Sequence, residues 1–472
     1  MLPVAICAPQ HRRAILWAAI LASSMGFIDS SVTAIALPAM RHALSASLAQ
    51  AQWFSAAYLL ALSALILAGG ALGDRFGTAR VFAAGIALFV LASLGCALAG
   101  TAHAMILARG LQGVAAALMV PGSMAIIGRA YPREERGKAL GLWAAASIAT
   151  TAAGPVLGGL ALTWHPDLGW RLVFALNLPL GLAALYLLRH AAADPSQPGR
   201  KIDLTGAALA TLGLGLIALA LTGDDGRALP LGLAGAVVFA AFLAWQAQCA
   251  QPMIRLGMFQ NRSFAAVNLA TFLLYFAVTG IGFYLPMVAV SAWNINELQV
   301  TAAFLPVSVM IATLSAPVGR LADRIGLGPL LAAGATLVAC AQAGLALTAA
   351  EAAFWTACVP LMWLSGLGMA LVVAPLTAAV MAAATDAEQG AASGINNAVA
   401  RASSLVAIAL MGRLASAGYG QIGRDTPGFG LTAASAPHLA ATGAGFAQIA
   451  ALAACASAAS AVVSLYGLRR SN

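Results

Sequence analysis

Charge is what this chain has least of. Aspartate and glutamate supply 15 of 472 residues, and all charged types together make up 8% of the sequence. An ordinary soluble domain carries roughly 25%. Too little charge is present to clothe a soluble globule of this size, so a soluble enzyme or a soluble binding module is excluded. Cysteine is also scarce. Cys7, Cys96, Cys249, Cys340, Cys358 and Cys455 are scattered, with no CxxC pair and no Cys/His cluster. Neither a disulfide framework nor a metal site is expected. The chain lacks a G-x-x-x-x-G-K-[ST] phosphate loop, so ATP hydrolysis within it is not the energy source. It shows no membrane-depth carboxylate pair and no Ser/His/Asp set, so no catalytic residue is assigned and no enzyme is expected.

What the chain has is apolar length. Its hydrophobic fraction is 61%, against about 45–50% for soluble domains. Apolar runs of about twenty residues recur, the length a helix needs to span the hydrocarbon core. About fourteen spans are expected, the first at 14–38, a close pair at 204–222 and 229–247, and the last at 444–467. The class is an all-α polytopic membrane protein. The basic tripeptide at 11–13 leads into a long apolar run without a convincing cleavage site, which reads as a retained first helix.

The net charge of +9 comes from topology, not from a nucleic-acid partner. Lys and Arg fall in short loops on alternating sides of the spans. With the N-terminus in the cytoplasm, seventeen lie inside and five outside, while Arg109 and Arg401 fall within helices. An even number of spans, with both termini cytoplasmic, is expected in a cell (inner or plasma) membrane.

Asp29 is the acidic residue placed at membrane depth, within the apolar run 14–40. A charge there costs a few kcal/mol (about 2.5–3.5 or more). Such a group faces a wet cavity or a partner, and Asp29 is a candidate to take up and release a proton. Arg109 is its candidate electrostatic partner. Gln112 and Gly113 follow three and four residues on and share its face. Tyr58, Gln112, Asn396 and Asn397 are candidates to line a cavity, the two asparagines being equally able to bond across helices.

An internal repeat divides the chain. Residues 70–85 (GALGDRFGTARVFAAG) align without gaps on 319–334 (GRLADRIGLGPLLAAG), with Asp74/Asp323, Arg75/Arg324 and Gly77/Gly326 among eight identities. The 249-residue offset exceeds what six helices need, and the surplus matches the close pair of spans. The expected plan is a six-helix bundle at 1–193, a polar linker and two inserted helices at 194–250, and a second six-helix bundle at 251–472. The repeated loop of Gly73, Asp74, Arg75 and Gly77, with Arg80 after it, suits a latch that holds helices together in one state. Gly77 permits a turn with positive φ.

These segments resemble a known family in order along nearly the whole chain. GALGDRFGTAR resembles the signature loop of the major facilitator superfamily. IDSSVTAIALP (28–38), WFSAAYLL (53–60), ARGLQGVAAA (108–117), AAGPVLGGLAL (152–162) and WRLVFALNLPLG (170–181) are similar to motifs of its fourteen-helix drug:proton antiporter branch. QPMIRLGMFQNRSF (251–264) and SGINNAVARAS (393–403) also look familial. The resemblance implies two pseudo-symmetric six-helix bundles rocking about a central site. It implies proton-coupled export of small organic compounds, driven by the proton gradient with no cofactor. Asp29 would serve as proton and cation site, with Arg109 tuning it or holding an anionic compound. Gly154, Pro155, Gly158 and Gly159 match the antiporter motif, expected to form a close, kinked contact between the halves that prevents leak.

Two further readings stay open. One is a dedicated exporter of a single metabolite, siderophore or antibiotic; the other is a transporter-like sensor. The expected partners are a small-molecule substrate, protons and the lipid bilayer, and the sequence sets no oligomeric state.

Overall fold

The computed structural model describes residues 7–165, 167–191, 202–223, 226–385, 388–423, 427–433 and 435–468. The polar linker at 194–201 lies outside the described residues, as do Arg424, Arg469 and Arg470 of the orientation count. Among the described residues, fourteen helices are long and apolar enough to cross a membrane.

The first six are α1 (Arg12–Ala43), α2 (Leu48–Phe76), α3 (Thr78–Ala97), α4 (Ala102–Ala130), α5 (Arg133–Trp164) and α6 (Gly169–Leu188). The inserted pair is α7 (Leu204–Thr222) and α8 (Ala228–Gln248). The last six are α9 (Arg262–Ser291), α10 (Glu297–Ile325), α11 (Leu327–Thr348), α12 (Phe354–Ala382), α13 (Gln389–Gly420) and α14 (Ala436–Gly467). Helices satisfy their own backbone polar groups, which lipid cannot do for them.

The repeat extends beyond the loop that revealed it. α2 opens with a capping box between Ser47 and Gln50, and α10 opens with one between Asn296 and Gln299. Both helices end on a left-handed glycine, Gly77 at φ 97° and Gly326 at φ 91°. All three pairs keep the 249-residue offset. A side chain at either glycine would be strained, so the same tight turn is built twice.

Packing follows the repeat. In the first half α4 packs on α2 and α3, α1 on α5, and α6 on α1 and α3. In the second half α14 packs on α9 and α11, α12 on α10 and α11, and α13 on α9. These are two pseudo-symmetric six-helix bundles. α7 and α8 pair with each other, and α7 lies against both α2 and α13.

The two halves meet chiefly along α2–α13 and α5–α10. Call the end carrying the Gly77 and Gly326 turns the loop end, and the opposite one the far end. The far end is closed. Gln52 Nε2 donates to the Tyr284 hydroxyl at 2.8 Å and to the Ile408 carbonyl at 2.7 Å. Tyr284 donates to the same carbonyl at 2.5 Å. Arg41 Nη1 donates to the Phe429 carbonyl at 2.6 Å. At the loop end the halves part. A cavity of about 1320 Å³ opens there, lined by Gly73 and Asp74 of α2, Pro121 of α4, Gln389 and Asn397 of α13, and residues 250–253 and Arg255.

Candidate functional site

Five helices place a closed polar cluster inside the first half. Asp29 comes from the middle of α1. Arg109 and Gln112 stand three residues apart on one face of α4. Ser93 comes from α3, Asn177 from α6, and the Phe54 carbonyl from α2. The Asp29 carboxylate accepts from Arg109 Nη1 at 2.5 Å and from Gln112 Nε2 at 2.9 Å. Arg109 also donates to Gln112 Oε1 at 2.6 Å and to the Phe54 carbonyl at 2.7 Å. Ser93 Oγ accepts from Gln112 Nε2 at 2.9 Å and from Asn177 Nδ2 at 3.2 Å. The Arg109 guanidinium lies 4.7 Å from the Tyr58 ring centre and 5.8 Å from that of Phe174, where the ring faces attract it.

Asp29 and Arg109 are each 1% exposed and Gln112 is fully buried. In this state none of the three is open to a compound. Gln112 does not line a cavity, because its amide is committed to Asp29, Arg109 and Ser93. Arg109 is enclosed here by Asp29, Gln112, a carbonyl and two rings. Asp29 meets a partner here and not a wet cavity, so it offers no open cation site in this state. Tyr58 packs against the cluster and is not among the residues lining the cavity. It is buried, and its ring face lies against the Arg109 guanidinium.

The adjacent asparagines divide the two roles left open for them. Asn396 bonds across to α9, donating to Thr271 Oγ1 at 2.8 Å and Asn268 Oδ1 at 3.2 Å. Asn397 lines the cavity. Neighbouring helical residues point about 100° apart, so one faces the bundle and the other the gap.

The loop residues stay within their own halves. Gly73 is buried, and Asp74 pairs with Arg129 at the end of α4 at 3.5 Å. Arg75 is not paired with an acidic group across the half among the described residues; it lies over the Phe76 ring at 5.1 Å. Arg80, Asp323 and Arg324 are exposed.

The glycine motif also divides. A Cβ at Gly154 would strike Ser31, and one at Gly158 would come within 2.7 Å of Val32. Both glycines seat α5 on α1, inside one half, and Pro155 is buried between them. Gly159 faces the other half: a Cβ there would lie 2.7 Å from Leu298 Cα and 3.1 Å from the Glu297 carbonyl. The expected inter-half contact belongs to Gly159 and not to the other three.

Ser93, Gln52 and Tyr284 were not singled out from sequence. Each is a hydrogen-bonding side chain in an otherwise apolar run, which is the signal that marks them.

The fold and this buried charge cluster define a multi-pass membrane protein of two pseudo-symmetric bundles. The family model of the Major Facilitator Superfamily matches residues 19–408 and 267–470. The chain belongs to this superfamily of transporters. It is 32% identical over 430 residues to an uncharacterised MFS-type transporter of Mycobacterium tuberculosis, covering 89% of this chain and 73% of that one. It is 31% identical over 426 residues to the tetracenomycin C resistance and export protein of Streptomyces glaucescens, covering 87% and 78%. The crystal structure of a D-xylose–proton symporter shares the fold, with a TM-score of 0.68 and 16% identity over 97% of this chain and 98% of that one.

Proposed function

We propose that this chain is a proton-coupled exporter of small organic compounds that works by alternating access. The observation that carries the reading is the Asp29–Arg109–Gln112 cluster: the one carboxylate at membrane depth among the described residues, fully enclosed within the first of two bundles that meet at one end and part at the other. The export name of the Streptomyces glaucescens relative supports the direction.

In this proposal the loop end is cytoplasmic, and both termini lie on that side of the cell membrane. Compounds enter from the cytoplasm between α2 and α13. A proton on Asp29 removes the negative charge that Arg109 pairs with. Arg109, Gln112 and Tyr58 then repack, and α1 shifts against α4. The far-end bonds of Gln52 and Arg41 break on opening outward, while the Asp74 and Arg75 loop forms its latch. No cofactor takes part; the proton gradient supplies the energy.

The test is proton release from the purified protein on adding lipophilic cations, neutral drugs and organic acids, wild type against Asp29→Asn. Release in wild type and none in the variant is the expected result. Equal release from both would remove Asp29 from the coupling. Uptake into everted vesicles driven by an acidic interior is expected for an exporter, and uptake driven by the opposite gradient would make the chain an importer. A second reading, export of one dedicated compound, draws on relatives named for single antibiotics, among them the methylenomycin A resistance protein of Streptomyces coelicolor. Release by one compound class alone across a broad panel would favour it.

A further inference from the structure

Arg109 and Arg401 both stand well inside described spans, and a carboxylate answers only one of them. Arg109 takes Asp29. Arg401 of α13 is left over. It is half-buried, and no hydrogen bond or ion pair reaches it among the described residues. The other acidic residues described stand in loops or near helix ends, away from this depth.

The packing of α13 against α2 fixes where Arg401 sits. At the far end Gln52 meets Ile408, and toward the loop end Leu67 meets Gly394. The helices are therefore antiparallel, and Arg401 lies level with Tyr58 and its neighbours, midway between those contacts. Asn397, four residues earlier, lines the cavity, and Ile408, seven later, meets Gln52. Residues at such spacings share one helical face, so Arg401 belongs to the face turned toward the other half.

An unpaired guanidinium at membrane depth is costly. Water in the inward-facing space tolerates it while the halves are parted. When they close on a cargo that water leaves, and a charge without a partner would oppose closure. A cargo that brings its own anion removes the obstacle. Arg is well suited to this because its planar fork pairs carboxylate oxygens two at a time.

We propose that Arg401 anchors the anionic group of the transported compound, so that the chain selects aromatic or aliphatic organic acids and phenolates over cations. The proposal rests on the export reading for what happens after binding, but not for binding itself. It moves the anion site from Arg109, which is enclosed, to the opposite half.

Three matched probes separate the possibilities: 1-naphthoate, 1-naphthamide and 1-naphthylmethylammonium. Their equilibrium binding to the purified full chain is measured by calorimetry for wild type, Arg401→Gln and Arg401→Lys. Wild type is expected to prefer naphthoate over naphthamide by about tenfold, the scale of one hydrogen bond to a charged group. Arg401→Gln loses that preference while naphthamide binding is kept, which also shows that the variant is folded. Arg401→Lys keeps part of it. Equal binding of naphthoate and naphthamide to wild type, a preference for the ammonium probe, no saturable naphthoate binding, or an undiminished preference in Arg401→Gln would overturn the proposal. Gradient-driven uptake into everted vesicles is read separately. Charge-selective binding without uptake sinks the export reading and leaves the anion site standing. Uptake of the ammonium probe in preference to naphthoate leaves export standing and sinks the site.

Discussion

At Asp29 the cost of a charge inside a membrane is met by neighbouring side chains. Its two oxygens are held by Arg109 and Gln112 at 2.5 and 2.9 Å. A buried pair of this kind adds little net stability, but removing one partner leaves the other uncompensated, at about 3–5 kcal/mol. Arg109→Gln is therefore expected to lower the unfolding temperature in detergent markedly. The double variant Asp29→Asn/Arg109→Gln is expected to recover most of that loss, because neither charge remains. Neither variant should transport. A double variant as unstable as Arg109→Gln would mean that Arg109 acts through its bond to the Phe54 carbonyl and its packing on Tyr58, not through the ion pair.

Helices are where sequence and structure agree most closely. Every apolar run of about twenty residues became a span, because length and apolarity decide whether a helix is placed in lipid. The Gly77 and Gly326 turns were readable because a left-handed backbone all but requires glycine. The partners of each helical face were not readable. Asn396 and Asn397 are one residue apart, yet one bonds to α9 and the other lines the cavity. Gly158 and Gly159 are equally close, yet one meets α1 and the other α10. A step of 100° around a helix changes the neighbour, and periodicity records the step without naming what lies there. The inserted α7 was likewise found by length alone, while its contacts reveal a tie between the halves. Trp53 Nε1 donates to Thr222 Oγ1 at 3.1 Å, and Arg413 Nη1 donates to the Ala220 carbonyl at 3.2 Å. The far-end turn of α7 is thus bonded to α2 and α13 at once. Each bond is worth about 1 kcal/mol. Trp53→Phe/Arg413→Ala should speed hydrogen exchange in the last turns of α7 on the order of tenfold, with α8 unchanged. Unchanged exchange in α7 would show that its apolar packing alone holds it.

The whole molecule is a pair of bundles that touch at the far end and separate at the loop end, so its conformational balance depends on how closely α5 and α10 approach. Gly159 sets that approach. Any Cβ there meets Leu298 Cα and the Glu297 carbonyl, which are backbone atoms and cannot swing aside. Overpacking of this sort costs about 1–3 kcal/mol. The cost falls on the closed far end and vanishes when the halves part there. A bias of that size shifts a two-state ratio by roughly 5- to 150-fold. Gly159→Val is therefore expected to favour the far-end-open state. Spin labels at His103→Cys and Glu351→Cys, both exposed near the far end of opposite halves, would report longer distances on a background without the native cysteines. Gly154→Ala serves as the control. Its new Cβ strikes Ser31 within the same half, so it should lower stability while leaving the label distances as they are. If Gly159→Val lowered stability and left the distances unchanged, α5 and α10 would move as one body, and the hinge between the halves would have to be sought along α2 and α13.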